Sequence, residues 1–299
     1  MTTAEAIILA IVEGLTEYIP VSSTGHLIIA ESFLQMKSSA FNRMYIINIQ
    51  FGAILAVVLL YWRRFFHSFD FYLKLFVAFL PAAILGKLLN DYIDHLLESV
   101  FTVAISMIVG GVFLLFSDYF FKSQMAKGVE ENPENPVIPA ENEDTFLPIA
   151  DDKPITDTLI EIASRRENIS FRQSFIIGLF QAVAMIPGVS RSAATIFGGL
   201  TQRLTIRDSA EFSFLLAVPT IFAAALYKTY KNVNQITASD MDLLLVGNLV
   251  SFIVAALSIK LFLSVVNRYG LKIFGIYRIV FGTILLILFM MGFNLNIVG

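Results

Sequence analysis

Glu13 and Glu17 stand four residues apart in the stretch Glu13-Gly-Leu-Thr-Glu17-Tyr-Ile-Pro20-Val-Ser22-Ser23-Thr24-Gly25-His26. On a helix that spacing puts both carboxylates on one face, where they repel unless a cation or a proton intervenes. A hard divalent cation bridging them to a phosphate answers this. Mg2+, with Ca2+ as the alternative, binds through few carboxylates plus substrate oxygens. A second stretch, Gln181-Ala-Val-Ala-Met-Ile-Pro187-Gly188-Val-Ser190-Arg191-Ser192-Ala-Ala-Thr195, runs through the same Ile-Pro step into another hydroxyl cluster. Arg191 can grip two phosphate oxygens at once, which a lysine cannot. His26 offers a general acid, a general base or a nucleophile. Ser22, Ser23 and Thr24 fall where a helix should begin. They can cap it or join its free N–H groups in holding an anion. Ser23, three residues before His26, is the better candidate for a catalytic hydroxyl. Ser190, Ser192 and Thr195 are candidate phosphate donors around Arg191. The set as a whole suits phosphate chemistry, with Glu17, Ser23, His26 and Arg191 in catalytic roles and Glu13 with Glu17 on the metal. His67 and His95 fall in expected loops and receive no role.

These groups sit in an apolar chain. Of 299 residues, 57% are hydrophobic and 15% charged, and the mean hydropathy is +0.74. A soluble domain carries about 25% charged residues, so the composition is that of a polytopic, all-α membrane protein. Ionisable side chains at membrane depth are costly and point to function. A net charge of −3 argues against nucleic acid as a partner. The absence of cysteine excludes disulfides, cysteine nucleophiles and thiolate metal sites. No lysine or arginine precedes Lys37, so the first apolar segment is expected to be retained rather than cleaved as a secretory signal.

Hydropathy, at about 20 apolar residues per crossing, predicts six transmembrane helices near 44–62, 72–90, 100–121, 210–229, 242–264 and 273–292. The motif segments, near 4–33 and 171–201, are each two short apolar halves around a Pro/Gly/Ser break. They are expected to be re-entrant helical hairpins, with the broken backbone satisfied by protein or a wet cavity. The echo continues outside the motifs. Phe51-Gly-Ala-Ile-Leu-Ala-Val57 resembles Phe212-Ser-Phe-Leu-Leu-Ala-Val218, and Ile108-Val-Gly-Gly111 resembles Ile279-Val-Phe-Gly282. Three crossings per half make the second half inverted relative to the first. The charges agree. Arg63, Arg64, Lys122, Lys127, Arg165, Arg166, Arg172, Arg203, Arg207, Arg268 and Lys272 all fall on one side, the cytoplasm, if both termini face outward; Lys228 and Lys231 are exceptions. The first hairpin then enters from outside, the second from inside, and their tips meet near the midplane as in inverted-repeat transporters.

The expected organisation is a first repeat over 1–122, an acidic cytoplasmic loop over 123–170, and a second repeat over 171–299. Within the loop, residues 123–157 are rich in Glu, Asp and Pro, a composition that cannot bury enough surface to fold alone.

The two motifs together closely resemble the bacterial undecaprenyl-diphosphatase family, the bacitracin-resistance proteins. The resemblance covers nearly the whole chain and includes Phe212-Ser-Phe-Leu-Leu-Ala-Val-Pro219 and Tyr277-Arg278. It implies hydrolysis of undecaprenyl diphosphate to the monophosphate, which recycles a lipid carrier for cell-wall synthesis. It also implies a divalent cation, a homodimer in the lipid bilayer, and a site open to the outer face of the bacterial inner membrane. The family's acidic motif falls on Glu13 and Glu17, its serine and histidine on Ser23 and His26, and its arginine motif on Ser190, Arg191 and Thr195. Either Ser23, activated by His26, attacks phosphorus, or His26 activates a water. The alternative reading is an inverted-repeat transporter or flippase for a polyprenyl phosphate, which turnover by purified protein separates from an enzyme. The soluble-type lipid phosphatases are excluded because Phe197 stands where they need a histidine.

Because the chain has no cysteine, single introduced cysteines report topology without background. Cysteines at Thr2 and Asp94 are expected to react with an impermeant thiol reagent in intact spheroplasts, and those at Glu134 and Asn267 only after permeabilisation. Labelling of Asp94 and Glu134 from the same side would contradict the odd number of crossings per half.

Overall fold

The structure, a computed structural model, describes residues 1–36, 39–62, 69–89, 99–122, 169–232 and 240–293, with a few isolated positions besides. The acidic stretch 123–157, His67, Asp94 and His95 lie outside them. Ten helices and no strand occur among the described residues: α1 Thr3–Thr16, α2 Ser23–Phe33, α3 Ala40–Leu60, α4 Phe69–Leu88, α5 Val100–Phe120, α6 Phe171–Val183, α7 Arg191–Thr201, α8 Ile206–Asn232, α9 Met241–Tyr269 and α10 Lys272–Met290. Six of them, α3, α4, α5, α8, α9 and α10, are long and apolar enough to cross a membrane, within a few residues of the predicted spans. The chain is a multi-pass membrane protein. The outer surface agrees: Leu245, Leu249, Ile253, Leu257 and Leu261 form an exposed apolar stripe along α9, a face suited to lipid rather than water.

The remaining four helices are short. At 1.5 Å per residue, the 14 residues of α1 span about 21 Å and the 11 residues of α7 about 16 Å, against a hydrocarbon core of about 30 Å. Both broken pairs are built with the same devices. Each opens on a capping box: Thr2 with Glu5 on α1, Ser170 with Gln173 on α6. Each first helix stops just before its Ile-Pro step. Each second helix starts from a serine in the left-handed region, Ser22 at φ 72° and Ser190 at φ 71°. For a residue with a side chain that conformation costs about 1–3 kcal/mol, so the surrounding contacts must hold it.

Those contacts come from spans that lie far away in the chain. α1 packs on α9, and α6 packs on α4. Both approaches rest on a glycine. A methyl at Gly14 would sit 2.7 Å from the Ser251 carbonyl oxygen of α9, and one at Gly178 would collide with the Ala78 carbonyl of α4. Close backbone approach through small residues is the usual means of helix association in lipid. α5 and α10 also touch backbone to backbone, with Gly111 and Gly275 facing each other. Asp118 of α5 locks the start of α10 by accepting hydrogen bonds from the N–H groups of Leu271 at 3.0 Å and Lys272 at 3.4 Å. α8 is the most enclosed span and carries Phe212, Phe214, Leu215 and Leu216 into the core.

Gly178→Val is expected to destabilise the protein by about 1–3 kcal/mol, the usual cost of overpacking, read as an earlier thermal transition in detergent. Leu179→Val, on the exposed neighbouring face, serves as the control and should leave the transition in place.

Candidate active site

The two breaks bring their polar residues to one point. Glu17 closes α1, Ser23 opens α2 and Arg191 opens α7, so all three hang from helix ends beside the left-handed serines. Glu17 joins the other two: Ser23 Oγ donates to Glu17 Oε2 at 3.0 Å, and Arg191 Nη2 donates to Glu17 Oε1 at 3.2 Å. The ion pair is almost closed to solvent, with side-chain exposures of 12% and 10%. At such depth an ion pair persists only with further hydrogen bonds around it. Arg191 Nη1 donates to the Ser213 carbonyl of α8 at 2.9 Å, and the guanidinium lies 5.7 Å from the Tyr18 ring centroid. Tyr18 is itself fixed: its hydroxyl donates to the Ala53 carbonyl of α3 at 2.9 Å, and its ring meets Phe214 edge-on. The apolar runs around Ala53 and Ser213, which echo each other in sequence, thus brace the ion pair from both halves.

Glu13 is fully buried, and neither of its carboxylate oxygens makes a well-aligned hydrogen bond among the described residues. Glu17 and Gln50 stand beside it. Arg191 Nε is likewise buried and unpartnered. The site therefore holds two acceptor oxygens and one charged donor with unmet bonding capacity, which is unusual for buried polar groups. Two hard oxygens suit a divalent cation; a guanidinium N–H suits an anion.

The other predicted residues divide. Ser192 is buried and donates to the Ile19 carbonyl at 3.1 Å, which fastens the second break to the first. Ser190 Oγ caps α7 at Ala193 N–H and pairs with Ser192 Oγ at 3.1 Å. Thr195 bonds inward, to the Arg191 carbonyl at 2.8 Å and Ser213 Oγ at 2.6 Å. The hydroxyls of Ser192 and Thr195 hold the break together. Ser22 is buried and makes no side-chain capping bond; Thr24 is half-buried.

His26 does not hydrogen-bond Ser23. Its Nδ1 meets the Ser22 carbonyl at 2.8 Å, and its Nε2 meets the Tyr277 hydroxyl at 2.7 Å. A carbonyl can only accept, so the neutral ring carries its proton on Nδ1 and takes a hydrogen bond from Tyr277 on Nε2. Phe281 stacks on the ring at 4.1 Å between centroids. The partner of the Ser23 hydroxyl is Glu17, where sequence spacing had suggested His26.

Sequence reasoning gave no role to Tyr18, Gln50, Tyr277 or Arg278. Arg278 is fully buried on α10, and every hydrogen bond it makes is to a main-chain carbonyl: Met107 at 3.3 Å, Ser106 at 3.2 Å, Pro20 at 3.4 Å, Val189 at 2.9 Å and Gly188 at 2.8 Å. An arginine inside an apolar span was the signal that could have found it.

The structure thus defines a multi-pass helical membrane protein in which a carboxylate, a serine and an arginine are joined between two broken helix pairs. Residues 6–284 match the family of the bacitracin resistance protein BacA, and the chain belongs to that family. It is 44% identical to the undecaprenyl-diphosphatase of Bdellovibrio bacteriovorus over 298 residues, all of both chains. It is 45% identical to that of Flavobacterium psychrophilum over 96% of each chain, and 37% identical to that of Aquifex aeolicus over 95% of this chain and 97% of the relative.

Proposed function

We propose that this chain hydrolyses undecaprenyl diphosphate to undecaprenyl phosphate and inorganic phosphate, the activity its relatives' names state. Similarity along the full chain supports it, and cell-wall synthesis and bacitracin resistance follow from the family. The observation that carries the reading is Glu17 held between Ser23 and Arg191, with Arg191 Nε and both Glu13 oxygens unpartnered beside it.

In this reading Arg191 and the N–H groups at the starts of α2 and α7 hold the diphosphate. Ser23 Oγ attacks the terminal phosphorus, and its proton passes to Glu17, to which it already donates. The bond from that phosphorus to the bridging oxygen breaks. The lipid monophosphate leaves and takes the proton from Glu17. Water then attacks the phosphoserine; Glu17 accepts a proton from it and returns one to Ser23 Oγ, and inorganic phosphate departs. His26 holds the first turn of α2 through the Ser22 carbonyl, and Ser190, Ser192 and Thr195 hold Arg191 in place. Glu13 with Glu17 would bind the divalent cation, Mg2+ or Ca2+, since buried unpartnered carboxylate oxygens are a hard donor set. When bound, the cation neutralises phosphate charge.

The broken pairs are read as re-entrant hairpins of an inverted repeat, with halves 1–122 and 171–299 joined by a cytoplasmic segment 123–170. Three features support this: the paired capping boxes, the paired left-handed serines, and the way each first helix packs on a span of the other half. The loop charges support a site opening to the outer face of the inner membrane. A homodimer completes the reading, on family resemblance.

Purified protein is expected to release phosphate from a C55 diphosphate and to lose most of that activity to a chelator. Ser23→Ala should cost on the order of a thousandfold in kcat, as expected of a nucleophile. A loss near tenfold would transfer the attack to water. Arg191→Lys keeps the charge and loses the fork; near-normal turnover by that variant would remove Arg191 from the phosphate.

A further inference from the structure

Arg278 binds none of the residues placed in the reaction, yet it touches both breaks. Its guanidinium donates to no carboxylate among the described residues; all five hydrogen bonds run to carbonyl oxygens. Two of those carbonyls, Met107 and Ser106, belong to α5. Pro20 belongs to the first break, and Gly188 and Val189 to the second. These last three precede Ser22 or Ser190 by one or two residues. Ser22 and Ser190 start α2 and α7 in a conformation that residues with side chains rarely adopt. Peptide units are planar and trans, so a carbonyl held by Arg278 sends the following N–H the opposite way. For Val189 that N–H is Ser190's, at the start of α7. One rigid planar fork therefore sets the orientation of the chain just before Arg191, and the separation between that point and the chain just before Ser23.

We propose that Arg278 is a positioning residue: it fastens the two breaks to one guanidinium and so fixes the reach between Ser23 and Glu17 on one side and Arg191 on the other. The inference rests on the phosphatase reading of that site. It explains why a charge is buried here without a counter-ion. Five carbonyl oxygens match its five N–H donors one to one, so no donor is left for a carboxylate. It also explains Gly110 on α5: a methyl there would strike Arg278 Nη2, and the guanidinium, locked by its five bonds, has nowhere to retreat.

The test uses full-length protein in detergent with a C55 diphosphate. Arg278→Ala should lower kcat about 100-fold, the cost of misplacing reacting groups by about an ångström, with KM changed far less. Millimolar guanidinium should restore at least tenfold of the loss, and equal urea should not, because only a planar cation refills the fork. Gly110→Ala keeps the arginine and its charge and shifts only the fork; it should lower kcat about tenfold by the same misplacement, which covers the case in which Arg278→Ala does not fold. If Arg278→Ala folds and keeps kcat within threefold, or if guanidinium rescues no better than urea, or if Gly110→Ala turns over like wild type, Arg278 is not the positioning group. Wild-type protein that releases no phosphate overturns the phosphatase reading and this inference with it; active wild type beside active variants overturns this inference alone.

Discussion

Unwound backbone buried among packed helices is the constraint on which this structure turns. Where a helix stops in buried surroundings, its last carbonyls and the next helix's first N–H groups lose their helical partners and must find others. The two breaks meet this demand with the same parts. Arg278 takes three of the freed carbonyls, Ser192 takes the Ile19 carbonyl, and His26 takes the Ser22 carbonyl. At the start of α7 the Ala193 N–H is taken by Ser190 Oγ, while Ser22 makes no such side-chain bond at the start of α2. The carbonyls on either side of the breaks are thus satisfied by side chains of the protein itself.

The charges follow the same logic. Arg191 and Glu17 neutralise each other, and the pair is held on three sides by Ser213, Tyr18 and Ser23. Arg278 is solvated by carbonyl dipoles alone. Glu13 stands apart: it is fully enclosed, with no well-aligned hydrogen bond to its carboxylate and the Glu17 and Gln50 side chains beside it, and burial of that kind is costly for a lone charge. The same low dielectric that makes such groups expensive strengthens whatever they bind.

Much of this was legible in residue order. The spans were readable because lipid demands long apolar runs, and the breaks because Ile-Pro followed by serines cannot continue a helix. Glu13, Glu17, Ser23, His26 and Arg191 stood out as polar groups in apolar surroundings. The pairing within the site was not readable. Ser23 and His26 lie close in sequence, but a helix start turns Ser23 back toward Glu17 and sends His26 one turn along, against Tyr277 and Phe281. Ser192 and Thr195 share composition with phosphate binders, and only packing reveals that their hydroxyls are used internally. Tyr18 looked like one more aromatic residue; its role comes from a hydroxyl reaching Ala53, across a separation that no local pattern records.

Tyr277 has a further consequence. The residue is 44% exposed on the flank of α10, where Val280 and Ile284 are exposed too, while its hydroxyl reaches His26. The polar interior thus lies a single side chain away from the acyl chains. A substrate whose tail stays dissolved in the leaflet can offer its headgroup sideways, without ever becoming an aqueous solute. Encounter is then a search in a plane. The concentration that governs turnover is the mole fraction of substrate among lipids, so diluting the surface with inert lipid slows the reaction even when the amount of substrate per volume is unchanged.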